Sequence, residues 1–258
     1  MTNPMNNLLN APEAILVLKM ADDKLFLGHM QSDWTGLGPI LEEDIASSSM
    51  AQDDLSHALV LYEYLGNRFG LDPDVIAYER EPGQYLCCDL VTVPDEFNWA
   101  TSLVRRWLFT HYAAPVLDQL ALFEDKELVE RARKLRAEEA LHVEYLDDWM
   151  RRLGSGSDEA RDRIQKAIDL LSTHAGMLFE LPGRDLEPDD SFCCSRSELF
   201  KEWDTNTSSV LEQAGLMMQV ELPDLKTIGG RNGVHADHFA AAHAEMGTVR
   251  SADPGAAW

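Results

Sequence analysis

Hydrophobic residues recur along most of this chain at intervals of three and four, which is the spacing of amphipathic helices. Four long segments with this pattern predict helices over about Ala11–Trp34, Pro39–Phe69, Asp95–Phe123 and Lys126–Leu153. Three shorter segments predict further helices over about Asp158–Glu180, Arg196–Gly215 and His235–Thr248. Asp95 is a suitable N-cap for its helix, and Pro39 suits a first helical turn. Pro115 should kink or divide the third long helix.

Residues 71–94 break the helical pattern with three prolines and a glycine, and include a β-like run over Tyr85–Val93. A connection of this length lets the next helix begin at a distant corner of a bundle. Since nothing along the chain alternates strand with helix, the predicted fold class is all-α. We expect one domain over residues 1–258. Its four-helix core should span about 11–153, and additional C-terminal helices should follow over about 158–250.

The charge of the chain excludes several classes of partner. Lys and Arg number 22 against 45 Asp and Glu, a net charge of -23. This balance argues against binding to nucleic acid or to anionic lipid, because both need clustered cations. No apolar run approaches the roughly 18–20 residues of a membrane span, and no basic segment precedes an apolar one at the N-terminus. We therefore expect a cytoplasmic protein, with acidic runs such as Asp22-Asp23 and Asp147-Asp148 mostly on solvated faces.

Two of the long helices carry a carboxylate three residues before a histidine. These pairs are Asp54/His57 and Glu139/His142. Residues at i and i+3 share one face of a helix, so each pair can hold one metal ion. Oxygen and imidazole donors suit iron or manganese. Ferritin-like di-iron proteins use two such pairs and one further carboxylate from each of the other two helices.

The other two helices complete this ligand set only in part. Asp22 and Asp23 are the carboxylate candidates on the first long helix. On the third long helix, the position at the same height along the bundle is near Thr110 and His111, where no acid occurs. The spacing therefore leaves two interpretations open. One is a metal site, and the other is a pair of core histidines hydrogen-bonded to buried acids without metal.

Several segments resemble the PaaA/PaaC family, the ferritin-like subunits of the bacterial ring 1,2-phenylacetyl-CoA epoxidase. The resemblance is carried by 25–34 (LFLGHMQSDW), 38–46 (GPILEEDIA), 104–109 (VRRWLF), 148–154 (DWMRRLG), the tail 230–246 and the closing 254–258 (PGAAW). The tail is the most specific of these cues, because helical periodicity alone does not produce it. Tail and length together resemble the smaller, non-catalytic type of subunit.

The resemblance implies a non-catalytic partner subunit of a multicomponent monooxygenase that acts in aerobic phenylacetate degradation. Such a subunit docks on a homologous catalytic di-iron subunit, within a complex that uses O₂ and receives electrons from a reductase subunit. The chain alone is expected to form a homodimer.

The metal pairs nevertheless match the catalytic type of subunit, whereas Thr110 stands where that type has a carboxylate. The resulting candidate metal ligands, for iron at a partial or vestigial di-iron site, are Asp23 (or its neighbour Asp22), Asp54, His57, Glu139 and His142. Whether the chain is itself a catalyst stays open. The alternatives are a di-iron or mono-metal oxygenase subunit and an iron-storing bundle.

Overall fold

The computed structural model describes residues 3–181 and 195–253, so the closing segment 254–258 lies outside it. The helices are α1 (Pro4–Leu9), α2 (Pro12–Ser32), α3 (Leu41–Phe69), α4 (Pro73–Tyr78), α5 (Trp99–Leu120), α6 (Lys126–Gly154), α7 (Asp158–Ala175), α8 (Arg196–Ala214), α9 (Phe239–Met246) and α10 (Thr248–Ala252). The two described ranges contain no strand. The all-α prediction is confirmed, and this helix content is consistent with a ferritin-like bundle. None of the described helices is both long and apolar enough to cross a membrane.

The chain divides into two compact units. The first comprises Met1–Pro94 and Gly229–Trp258, and the second comprises Asp95–Ile228. The first unit therefore contains the long helices α2 and α3 together with the C-terminal segment, and the second contains α5 to α8. That all 258 residues form one domain stays a prediction.

In the first unit, α2 packs along α3. The helix α2 is buried along almost its whole length, and its buried residues include the charged side chains of Lys19, Asp22, Asp23 and Lys24. The two helices approach closely at Gly28, where an added Cβ would lie 2.8 Å from Cγ of Leu55 and 3.2 Å from the carbonyl oxygen of Ala51. This packing brings Lys24 of α2 beside Asp54 of α3.

The β-like run over 85–93 does not form a strand. Its backbone instead makes a 3₁₀ turn over Asp89–Thr92. The N–H groups of Leu86 and Cys88 donate to the carboxylates of Asp22 and Asp23, at 2.7 and 2.8 Å. Buried backbone donors need a partner, and here α2 supplies it in place of a neighbouring strand.

Two predicted helix starts are displaced. Pro39 precedes the helix, because α3 begins at Leu41 with Ile40 as its N-cap. The N-cap of α5 is Asn98, whose side chain accepts the N–H of Ala100. Residues 96 and 97 have φ angles of 51° and 57°, which a right-handed helix cannot include, so this helix cannot begin at 95.

In the second unit, α5 contacts α6, α7 and α8. Pro115 lies inside α5 without dividing it. The predicted fifth helix ends at Ala175 and continues as a 3₁₀ turn over Gly176–Phe179. The indole of Trp203 on α8 is fully buried and donates to the carbonyl of Leu108 at 3.0 Å, which ties α8 to α5.

Candidate metal centre

The pair Asp54/His57 lies in the middle of α3, and both side chains are 1% exposed. Their i, i+3 spacing places them on the buried face of the helix. Nζ of Lys24, on α2, lies 2.8 Å from Oδ1 of Asp54. The lysine is equally buried. The positive charge beside this carboxylate is thus supplied by the chain itself.

Asp23 on α2 is also paired with a cation. Its Oδ2 lies 2.7 Å from a guanidinium nitrogen of Arg231, and both side chains are fully buried. Burial raises the pKa of the Asp23 carboxyl, and the charge of Arg231 and the N–H of Cys88 offset this only in part. Arg231 reaches the site from the C-terminal segment and also donates to the carbonyl of Leu86 at 2.9 Å.

The neighbouring acid Asp22 has a different set of partners in the same unit. It accepts hydrogen bonds from Tyr62 Oη at 2.6 Å and the N–H of Leu86 at 2.7 Å. The guanidinium of Arg80 donates to both of its carboxylate oxygens. The expectation that Asp22-Asp23 lies mostly on a solvated face is wrong. Both carboxylates are fully buried, because each neutralises an arginine and caps backbone donors of the 71–94 connection.

The second pair, Glu139/His142, lies on α6 in the second unit. Glu139 is fully buried and His142 is 5% exposed. His142 Nδ1 lies 3.6 Å from Glu139 Oε2, so the i, i+3 spacing does bring the two side chains to one face. The two carboxylate-histidine pairs belong to different units, and their convergence on one site stays a prediction.

Whether a di-iron centre fits depends on the charges beside Asp23 on α2 and Asp54 on α3. Iron would need Asp54 as a ligand, but a buried ammonium already lies within hydrogen-bond distance of that carboxylate. Asp23 is likewise neutralised by a guanidinium. Thr110, at the position where the third helix should supply an acid, is buried and carries no charge. In this arrangement Asp54 and Asp23 are each neutralised by a cation of the chain itself, and the predicted di-iron ligand set stays a prediction.

Sequence reasoning missed Lys24 and Arg231. Lys24 follows two aspartates directly, and a lysine among the apolar residues of a helical segment is a usable signal of a buried ion pair. Arg231 lies more than two hundred residues from its partner, and only its place in the distinctive tail could have drawn attention to it.

A further buried polar group lies in the second unit. Asp147 Oδ1 on α6 accepts hydrogen bonds from Trp107 Nε1 and His111 Nε2 on α5, both at 2.8 Å. Partial burial by itself raises the pKa of the Asp147 carboxyl, but these hydrogen bonds outweigh it and hold that pKa below 3.8. The solvated-face expectation is wrong for Asp147, whereas Asp148 is exposed.

Asp147→Asn should lower the free energy of unfolding at pH 7 by about 1–3 kcal/mol, since two buried donors lose a charged acceptor. The folded-state pKa is lowered, so the contribution of the carboxylate is complete above the ordinary value of 3.8 and is lost as the pH falls through the folded pKa. Urea denaturation from pH 7 to pH 3.5 measures the difference between wild type and variant, which should shrink at the acid end.

Asp148→Asn is the matched control, because it makes the same change of charge one residue away, at an exposed carboxylate 3.2 Å from Arg151. Surface ion pairs contribute about 0–1 kcal/mol. Equal losses for the two variants would contradict a specific role for the Asp147 hydrogen bonds, as would a difference that stays constant with pH.

The whole chain is similar to known proteins. The sequence pattern of the family described as "Phenylacetic acid catabolic protein" matches residues 1–258. The chain is also similar to a protein of Escherichia coli strain K12 that is named as one of the subunits of 1,2-phenylacetyl-CoA epoxidase. The two are 26% identical over 243 residues, which cover 93% of this chain and 97% of that protein.

Proposed function

The chain belongs to the Phenylacetic acid catabolic protein family, PaaA_PaaC, and from this membership we propose that it is a non-catalytic subunit of a monooxygenase complex that epoxidises the ring of phenylacetyl-CoA. Family membership supports involvement in phenylacetate catabolism. Similarity over nearly the full length to a protein named as one subunit of such an epoxidase favours a role within a complex of several chains.

The observation that carries the non-catalytic role is the buried ion pair between Lys24 and Asp54. A catalytic di-iron subunit needs its carboxylates for metal, and a carboxylate already neutralised by an ammonium binds metal poorly. The chain would then act by docking on the homologous di-iron subunit and stabilising it, in the cytoplasm, alongside the remaining subunits. In the absence of that partner it would form a homodimer.

A second candidate function is a di-iron or mono-metal oxygenase subunit in its own right. It is favoured by the burial of both carboxylate-histidine pairs, whose four residues are each at most 5% exposed. Buried carboxylate and imidazole donors at i, i+3 are the donor set of such centres. In this alternative, Asp54 would have to bind a metal ion in place of the ammonium group of Lys24.

Co-expression with a catalytic homologue from the same organism tests the proposed function. We expect the two chains to co-purify, and sedimentation should show a heterodimer when both are present and a dimer of this chain alone. Metal analysis should find iron in the complex, assigned to the catalytic homologue, and less than one ion per chain in this protein purified by itself. A chain that stays monomeric and does not bind the homologue would contradict the partner role.

A further inference from the structure

Lys24 and Asp54 form a closed ion pair between neighbouring helices of one unit. Nζ and Oδ1 are 2.8 Å apart, and each side chain is 1% exposed. His57, one helical turn beyond Asp54 on α3, is buried to the same extent. A cation, a carboxylate and an imidazole therefore share a water-poor part of the first unit.

A buried carboxylate needs a compensating positive charge, because the cost of removing it from water is several kcal/mol. A divalent metal and an ammonium group both meet this need. They exclude one another beside a single carboxylate, since two cations a few ångströms apart in a medium of low polarity repel strongly. The ammonium has the advantage that it is covalently attached to α2.

A second buried carboxylate of this unit is also neutralised by a cation of the chain. Asp23, one residue before Lys24, is neutralised by Arg231 at 2.7 Å, again with both side chains fully buried. Two acids predicted as metal ligands are thus each satisfied by a cation from the chain. The repetition argues that internal cations replace metal charge across this face of α2 and α3.

We propose that the Lys24 ammonium group takes the place of a divalent metal ion at Asp54 and His57, so that removing its charge opens this position to metal. The occupant is a small divalent cation that prefers carboxylate and imidazole donors, such as Mn²⁺ or Fe²⁺. This goes beyond the proposed function, because it concerns the carboxylates of this chain and holds whether or not the chain docks on a partner.

The test is a titration of the full-length chain with Mn²⁺, followed by electron paramagnetic resonance of the free ion. Wild type should bind Mn²⁺ weakly or not at all. Lys24→Met, which removes the charge and keeps most of the volume, should bind about one ion per chain and at least about tenfold more tightly than wild type. The double variant Lys24→Met/Asp54→Asn should return to the behaviour of wild type.

Lys166→Met serves as the matched control, since Lys166 is exposed on α7 and its loss should leave Mn²⁺ affinity unchanged. Lys24→Gln is a second variant that keeps a neutral hydrogen-bond donor beside Asp54. If either Lys24 variant is unstable, Mn²⁺ should restore its cooperative thermal transition. Absence of this rescue would overturn the proposal, as would Mn²⁺ affinities equal to that of wild type.

Tight stoichiometric binding by wild type, with Lys24 in place, would overturn the proposal as well. That result would also favour the oxygenase alternative. In contrast, weak binding by every variant would overturn the role of Lys24 and leave the partner role untouched, because that role is measured by co-purification.

Discussion

Arg231→Ala should lower the free energy of unfolding by about 3–5 kcal/mol, the usual cost of leaving one member of a buried ion pair alone. Arg231 and Asp23 are both fully buried at 2.7 Å. The substitution also removes a donor to the carbonyl of Leu86. Since Arg231 joins the C-terminal segment to α2 and to the 71–94 connection, the whole first unit should lose stability. Urea denaturation followed by circular dichroism measures the change.

Arg250→Ala is the matched control in the same C-terminal segment. Arg250 pairs with Asp74 and Glu79, but all three side chains are partly exposed. Surface pairs of this kind contribute about 0–1 kcal/mol. The double variant Asp23→Asn/Arg231→Met removes both charges and should recover part of the loss. Similar small losses for Arg231→Ala and Arg250→Ala would show that burial of the Asp23 pair does not matter to stability.

Trp203→Ala should destabilise the second unit by about 3–5 kcal/mol, because it leaves a large cavity in a packed core. The indole is fully buried, and its ring lies 5.4 Å from that of Phe179 and 6.1 Å from that of Phe200, between centroids. Its N–H also donates to the carbonyl of Leu108. Thermal unfolding in a calorimeter would register the loss.

Trp203→Phe separates the two contributions. Phenylalanine keeps an aromatic ring against Phe179 and Phe200 but has no N–H for Leu108. It should therefore lose clearly less stability than the alanine variant. If the two variants lose the same amount, the ring contacts contribute nothing beyond the hydrogen bond, and the cavity argument is wrong.

The existence and order of the long helices were predictable from sequence, whereas the short helices α1 and α10 were not predicted and helix starts were predicted less well. The long helices α2, α3, α5 and α6 match predicted segments, because a repeat near 3.6 is a local property of many residues. The start of α5 was misplaced at Asp95. This side chain accepts the N–H of Phe97 and pairs with Arg105, and those contacts depend on the following turn as well as on residue type.

Within the candidate site, only the arrangement of residues close together in one helix could be predicted from the sequence. The shared faces of Asp54 with His57 and of Glu139 with His142 follow from spacing along one helix. The partners of Asp22 and Asp23 do not, since Arg80 and Arg231 come from distant segments. The same limit explains why the 85–93 run was taken as β-like. Its pattern suits a strand, but its N–H groups bond to α2.

The amino-acid sequence by itself determined an all-α chain, the spacing of two carboxylate-histidine pairs and membership of its family. These are properties of short windows and of residue identity. Only the tertiary structure decided that Lys24 lies against Asp54 and Arg231 against Asp23. The reason is physical: a buried charge is satisfied by whichever opposite charge the packing of distant segments brings within about 3 Å, and local pattern carries no record of that choice.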